Sequence, residues 1–341
     1  MNLNNLNKTF IVAEIGINHN GSKKRLFQMI DAAKKTGADA VKLQIMTGSD
    51  LVVPGLSFSY TSKGVQKTKD LAKLFYDCRV KLEWLPEIYD YCKNQDIICF
   101  ATPFSFDVVD ILEEVGNPIY KVSSGDISHL PLLSYIAKTN KPMIVSTGKS
   151  SLSDVERAVD QIRAAGNENL ALLHCVSLYP TPYDELNLRN IATLKQAFDV
   201  QVGFSDHSEG YISSVVAVAL GSKIIEKHFT LDKNDEGPDH WFSLDKAEFS
   251  TLVKNIRLTE SMLGSGVKQI ADNEKRVNER ASRSIVAKKR LNKGDRLSAE
   301  MFEYKRPGNG LRPYQESLLI GKILNKDLAK DDLITLEDIE W

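Results

Sequence analysis

From Thr9 to about Gly264, short apolar runs rich in β-branched residues alternate with helical patterns, as expected of parallel strands covered by helices. The runs predict eight strands: Phe10–Ile15, Ala40–Leu43, Ile97–Ala101, Ile119–Val122, Met143–Ser146, Leu170–Cys175, Gln201–Ser205 and Lys223–His228. Helical spacing follows them, for example over Lys24–Lys35, Ser105–Val115, Pro131–Lys138, Leu152–Ala165, Ile212–Leu220 and Lys246–Leu263. Eight βα units predict a closed (β/α)₈ TIM barrel of the α/β class rather than an open doubly wound sheet. No GxGxxG follows any of the runs, which argues against a dinucleotide site.

Two stretches break this rhythm. Met46 to Leu82 is too long for an ordinary barrel loop unless it builds or covers a site, and is expected to be a partly ordered lid or insertion. After Gly264, Ala271–Ser282 is polar and charged and reads as a linker or linker helix. Ser284–Ala287 and the punctuation of Gly294, Pro307, Gly308, Gly310 and Gly321 then predict a small module of short strands and turns. The expected organisation is a barrel over 1–270, a linker over 271–282 and a terminal module over 283–341.

Charge narrows the partners. With 44 Lys+Arg against 45 Asp+Glu among 341 residues, the chain has no global electrostatic reason to bind nucleic acid or an anionic membrane. Any bound anion must be held by local groups. The Asn-rich start lacks an apolar segment and no later stretch approaches the ~20 apolar residues of a membrane span, so a cytoplasmic protein is expected. Cys78, Cys92, Cys99 and Cys175 lack CxxC spacing and read as reduced, buried thiols.

In a barrel of this kind the chemistry sits where the strands end. Those ends carry Glu14; Lys42 and Gln44; Thr102; Lys121, Ser123, Ser124 and Asp126; Ser146 and Thr147; His174, Ser177 and Tyr179; Asp206 and His207; and Glu226, Lys227 and His228. So many polar groups beside apolar strands need partners, and a polar ligand supplies them economically. His207 and His228 end consecutive strands, and read either as ligands of one divalent metal or as two hydrogen-bonded structural histidines. His174 reads equally as a satisfied core histidine or a catalytic one. His240 lies in a loop after the last strand, His19 in a tight turn, and His129 at a helix entry or facing solvent. Lys42 and Lys121 suit a carboxylate and a phosphate when joined by hydroxyl donors. A Schiff-base role or a snorkelling surface position are the alternatives.

These motifs, taken in order, resemble those of the bacterial sialic acid (nonulosonate) synthases. They are Ala13-Glu14-Ile15-Gly16-Ile17-Asn18-His19-Asn20-Gly21, Val41-Lys42-Leu43-Gln44, Thr102-Pro103-Phe104, Lys121-Val122-Ser123-Ser124-Gly125-Asp126, Ser146-Thr147-Gly148, His174-Cys175-Val176-Ser177-Leu178-Tyr179-Pro180, Phe204-Ser205-Asp206-His207-Ser208 and Glu226-Lys227-His228-Phe229-Thr230-Leu231. Arg306-Pro307-Gly308-Asn309-Gly310 resembles the signature of the antifreeze-like (SAF, β-clip type) domain that ends those enzymes. The resemblance implies a transferase that condenses phosphoenolpyruvate with the aldehyde of an N-acylated hexosamine, giving a nine-carbon 2-keto acid and phosphate. It places Lys42, Thr102, Lys121, Ser124, Ser146, Ser177 and Tyr179 around phosphoenolpyruvate, with Phe104 and Ser205 in the same substrate-binding set. His207 and His228 would hold Mn²⁺, or Mg²⁺ or Co²⁺, and Glu14, Gln44, Tyr179, Asp239 and Arg306 would hold the sugar. The catalytic set it implies is Glu14, Lys121, His207, His228 and Asp126, the last as general base where many members carry Glu; Ser177 stands where some carry Asn. It further implies a domain-swapped homodimer, with the terminal module of one chain capping the other's barrel.

Ice binding is not expected of this module, because residues 271–341 hold 15 Lys+Arg and 13 Asp+Glu where a flat, weakly charged face would be needed. The Lys121–Asp126 motif resembles the sialic and legionaminic branch, whereas Asp70 to Trp84, ending Leu82-Glu83-Trp84, and Gly237-Pro238-Asp239 with Phe242-Ser243-Leu244 resemble the pseudaminate branch. A Schiff-base aldolase and a sugar-binding barrel without turnover are the readings from other classes.

Overall fold

All seven residues of β1 (Phe10–Gly16) are buried, as required of a strand whose sheet is covered on both faces. The computed structural model describes residues 1–46, 51–53, 55–62 and 64–341; part of the Met46–Leu82 expectation therefore falls outside the described residues. With β2 (Ala40–Ile45), β5 (Ile98–Pro103), β6 (Tyr120–Val122), β7 (Met143–Ser146), β8 (Leu170–Cys175), β9 (Gln201–Asp206) and β10 (Ile224–His228), β1 forms a closed parallel barrel. Closure occurs between β1 and β10, in a register that runs from Phe10 opposite Ile224 to Glu14 opposite His228. The expected (β/α)₈ architecture is thus present, with strand boundaries shifted by a few residues at most.

Strand periodicity divides the buried residues into two sets. Ile11, Ala13, Ile15, Val41 and Leu43 face outward into the main core beneath the helices. Phe10, Val12, Ala40, Phe100, Ile119, Ile144, Leu173 and Ile224 form a separate apolar cluster with Leu3, which fills the lower barrel interior. Gly203 is required there, since a Cβ would stand 2.5 Å from the Ile224 carbonyl oxygen and from Leu173 Cδ2. Because that floor is packed solid, the polar side chains one layer above it are the lining of the barrel mouth.

The surrounding helices are α1 (Lys23–Thr36), α3 (Leu85–Asn94), α4 (Phe106–Glu114), α5 (Leu130–Ala137), α6 (Leu152–Ala164), α7 (Asn190–Phe198), α8 (Ile212–Ala219) and α9 (Lys246–Leu263). Their starts are locally encoded. Ser22 caps α1 by accepting from the Arg25 amide, and Ser151 with Asp154 and Asp245 with Glu248 form capping boxes on α6 and α9; such caps satisfy N–H groups that a helix leaves unpaired. The insertion after β2 contains an antiparallel hairpin, β3 (Ser57–Ser62) with β4 (Val65–Asp70), and a short helix α2 (Leu71–Asp77).

The chain divides into two compact units, Met1–Gly264 and Ser265–Trp341. The second begins with α10 (Asp272–Ala281) and contains the antiparallel pair β11 (Ser284–Ala287) and β12 (Phe302–Lys305). Its own core is built from Ile285, Leu291, Phe302, Leu324 and Ile334. Among the described residues no helix is long and apolar enough to cross a membrane. All four cysteines are free and buried, as their surroundings in the sequence suggested.

Candidate active site

Glu14, Lys42, Lys121 and Glu226 project from β1, β2, β6 and β10 into a cavity of about 830 Å³ at the carboxyl ends of the strands. Lys42 Nζ lies 3.3 Å from Glu14 Oε2 and 3.2 Å from Glu226 Oε2. Lys121 Nζ donates to Ser146 Oγ at 2.6 Å and to the Val122 carbonyl at 3.0 Å, and stands 3.9 Å from Glu226 Oε1. Ser205 Oγ donates to Glu226 at 2.8 Å, and Gln44 Nε2 donates to Glu14 at 2.7 Å. All of these charges are buried, so each depends on its neighbours for compensation.

The two lysines are set apart by that compensation. Burial opposes the charge on Lys42, but Glu14 and Glu226 outweigh it and raise the ammonium above its ordinary range. Burial dominates at Lys121 and, only partly offset by Glu226, brings it down to about 8. At Glu226 burial is outweighed by Lys121 and Lys42, and the carboxylate falls to about 2. Burial raises Glu14. The pocket thus holds one lysine locked as a cation and a second close to its titration point.

Beside this cluster the rings of His207 and His228 lie 5.5 Å apart between centroids. His207 Nδ1 is 2.9 Å from the Val176 carbonyl; facing an acceptor, that nitrogen carries the hydrogen and leaves Nε2 with its lone pair. His228 Nδ1 is buried without a hydrogen-bond partner among the described residues and lies 3.7 Å from Asp239 Oδ2. Burial, followed by His207 and Lys42, holds His228 well below its usual range, so its ring is neutral. Burial and Glu14 raise Asp239 to about 7. Burial opposes the charge on His207, but Cys175 and the Val176 carbonyl outweigh it and raise the ring above its ordinary range. Two imidazoles on adjacent strands, once His207 has given up its proton, fit a divalent ion of borderline softness. Among the described residues no group of three His, Cys, Asp or Glu side chains converges on one metal position, so water or substrate oxygens would complete such a shell.

On the β6 and β7 side, Asp126 accepts a hydrogen bond from Ser123 Oγ; burial raises its carboxyl despite that bond. Ser124 Oγ accepts from the Gly148 amide at 3.0 Å. Gly148 lets the strands' loops approach, because a Cβ there would lie 2.4 Å from Ser177 Oγ and 2.8 Å from Ser124 Oγ. Ser177 Oγ is buried and has no hydrogen-bond partner among the described residues. Tyr179 stacks near His207, with centroids 4.2 Å apart. Phe104 and Asp239 also line the cavity. Thr102 is buried in register with Gln44 but does not line it. Arg306 belongs to the second unit, where it is exposed.

Several polar strand-end residues face away from this cavity. Asp206 accepts from the hydroxyls of Ser208, Ser213 and Ser214 and pairs with Lys227 at 3.2 Å behind the barrel wall. His174 Nε2 is 2.6 Å from the Leu186 carbonyl, which makes it a satisfied histidine beside a second cavity. His240 contacts Thr230 Oγ1 at 2.7 Å, and His129 caps α5 through Leu132. In the sequence Glu226 has no role beyond its place at a strand end; its alternation with His228 is the signal that both share the interior face. Tyr60 and Phe58 of the β3–β4 hairpin also line the cavity, and nothing in their polar surroundings indicated it.

Comparison with known proteins adds an independent finding. The model of the NeuB family matches residues 29–268 and that of the SAF domain matches 282–340. The chain is similar to the N,N'-diacetyllegionaminic acid synthase of Campylobacter jejuni, 37% identical over 96% of this chain and 99% of that one. It is equally similar to a pseudaminic acid synthase of the same organism, 38% identical over 99% of each. A crystal structure of N-acetylneuraminic acid synthetase from Leptospira borgpetersenii, in complex with citrate, superposes with a TM-score of 0.72 at 32% identity, over 80% of this chain and 90% of that chain.

Proposed function

The chain belongs to the NeuB family and ends in a SAF domain, and on that premise we propose that it condenses phosphoenolpyruvate with the open-chain aldehyde of an N-acylated hexosamine. The products are a nine-carbon 2-keto acid of the nonulosonate type, such as an N-acetylneuraminate or legionaminate, and phosphate. The observation that carries this reading is the buried Lys42–Glu226–Lys121 cluster beside the His207 and His228 rings. Ammonium and hydroxyl donors suit a small substrate with a phosphate and a carboxylate. Carboxylates and an amide at Glu14, Gln44 and Asp239 suit a polyhydroxylated one.

The chemistry follows from where charge moves. C3 of phosphoenolpyruvate forms a bond to the aldehyde carbon, whose oxygen takes up a proton, while positive charge develops at C2. Water adds to C2, the C2–O bond to phosphorus breaks, and phosphate leaves with the electron pair as the 2-keto group forms. Asp126 takes the proton of that water; its raised carboxyl pKa suits a general base better than a fully solvated Asp would. Lys121, Ser124 and Ser146 orient the phosphate, and Lys42 holds Glu14 and Glu226 in place while offering a donor to the carboxylate. A divalent ion held by His207 and His228, with Mn²⁺ favoured over Mg²⁺ or Co²⁺, would polarise the aldehyde as a Lewis acid. By the resemblance of its motif, Arg306 of the SAF unit would contact the sugar from a second copy of the chain.

The test is phosphate release from phosphoenolpyruvate with Mn²⁺ and N-acetylmannosamine, 2,4-diacetamido-2,4,6-trideoxymannose or the corresponding altrose, each supplied separately. Release should require a sugar and stop with chelator. Inactivation by borohydride with pyruvate would support a Schiff base at Lys121 instead.

A further inference from the structure

Two polar rungs cross the seam between β9 and β10. The register sets Ser205 opposite Glu226 and Asp206 opposite Lys227. Successive side chains of a strand leave opposite faces, so the first rung points into the barrel mouth and the second lies behind its wall. On the inside Ser205 Oγ donates to Glu226 at 2.8 Å; on the outside Lys227 Nζ stands 3.2 Å from Asp206 Oδ1. The residues that follow on the two strands are His207 and His228. The outer rung therefore sits one residue before each imidazole, and neither of its members lines the cavity.

This outer pair is fully enclosed, with no exposure of either side chain. Asp206 Oδ1 accepts from the Ser208 amide at 2.9 Å and from the Ser208 hydroxyl at 2.7 Å, while Oδ2 accepts from the hydroxyls of Ser213 and Ser214 on α8 at 2.7 and 2.6 Å. Lys227 Nζ also donates to the Ser208 carbonyl. Both charges thus grip the residue that follows His207. Stability alone does not account for them, because desolvation consumes most of the Coulombic gain of a buried pair and apolar residues of similar volume are commonly no less stable. The best-attested use of such a pair is to fix a register.

The imidazoles depend on that register unequally. His207 Nδ1 faces the Val176 carbonyl at 2.9 Å. His228 Nδ1 has no hydrogen-bond partner among the described residues, so the place of its ring is set by its strand and by packing against Phe242 and Tyr179.

We propose that Asp206 and Lys227 are positioning residues that act through His207 and His228: their ion pair locks β9 to β10 in the register that lets both imidazoles reach one divalent ion. The proposal rests on the metal reading above and concerns only side chains that would not touch the ion.

The experiment titrates Mn²⁺ into the chelator-treated full-length protein and follows free Mn²⁺ by electron paramagnetic resonance. Phosphoenolpyruvate binding without metal and the melting temperature are measured alongside, for the parent, Lys227→Met and Ser214→Ala. Lys227→Met should weaken Mn²⁺ about ten-fold, the scale on which groups that orient metal ligands act, and leave phosphoenolpyruvate binding unchanged. Ser214→Ala, which keeps the ion pair and deletes one hydroxyl from Asp206, should weaken Mn²⁺ in the same direction by less. Mn²⁺ held by Lys227→Met as tightly as by the parent, whatever its melting temperature, makes the pair merely structural and overturns the proposal. An equal weakening of Mn²⁺ and phosphoenolpyruvate overturns it too. Should Lys227→Met not fold, Ser214→Ala decides by the same criteria. A parent that binds no Mn²⁺ overturns the metal reading itself, and the positioning role with it.

Discussion

Lys42 Nζ and Glu226 Oε2 lie 3.2 Å apart inside the barrel, and the same carboxylate reaches toward Lys121 at 3.9 Å from its other oxygen. One anion therefore holds two buried cations that would otherwise repel. Glu226→Gln keeps the shape and removes the charge. Breaking a buried pair in this way costs about 3 kcal/mol, which corresponds to a fall of roughly 6 to 12 °C in the barrel's melting temperature. Calorimetry on the variant checks this, and an unchanged transition would mean that the cluster does not depend on Glu226.

Lys121 sets a pH limit on binding of the anionic substrate. Its ammonium is brought down to about 8 by burial, with Glu226 on β10, Glu14 on β1 and Cys175 on β8 favouring the charge and Lys42 on β2 opposing it. The cation is present below about pH 8 and is lost as pH rises through that value. Because kcat/KM reports the free enzyme, kcat/KM for phosphoenolpyruvate should fall with unit slope above about pH 8. Lys121→Arg, which stays charged, should remove that limb even if its rate is lower.

His19 predicts a different pH effect, on stability. Its ring is fully buried, neither nitrogen has a hydrogen-bond partner among the described residues, and burial with Arg25 nearby lowers it to about 4. The unfolded chain takes up a proton below about pH 6.5 that the folded one refuses until about 4. Stability is thus complete above pH 6.5 and declines below it, by at most ~3 kcal/mol for this residue. Urea midpoints at pH 7 and pH 5 should differ less in His19→Leu than in the parent.

Asp126 is assigned the water that adds to C2. Asp126→Ala should lower kcat by about 100-fold or more and change the KM for phosphoenolpyruvate by less than about three-fold. Single-turnover phosphate release reads the step directly. Full turnover in this variant would remove Asp126 from the mechanism.

The barrel was legible because its strands are buried on both faces and its helices carry their own caps, so apolar runs and helical spacing alternate along the sequence. The site was legible in outline, since strand ends mark the mouth of a barrel. Which side chains enter that mouth depends on strand phase. Asp206, Lys227 and His174 sit one position out of step with His207, Glu226 and Cys175 and face the helices. Alternation resolves this only once one residue in each strand is placed. The insertion was legible as a segment that builds or covers a site, but not which of its side chains line the cavity, because β3 reads Ser-Phe-Ser-Tyr-Thr-Ser and its apolar contacts come from α2 and from loops.

In the proposed condensation water attacks C2 and not phosphorus, so the bond from C2 to the bridging oxygen breaks and the bond from that oxygen to phosphorus survives. Phosphoenolpyruvate labelled with ¹⁸O at that bridging oxygen tests this most directly, by mass analysis of both products after turnover with the accepted sugar. The label should leave in phosphate, and the 2-keto oxygen should come from solvent. Label retained at C2 of the nine-carbon acid, under conditions where its keto oxygen does not exchange, would contradict it.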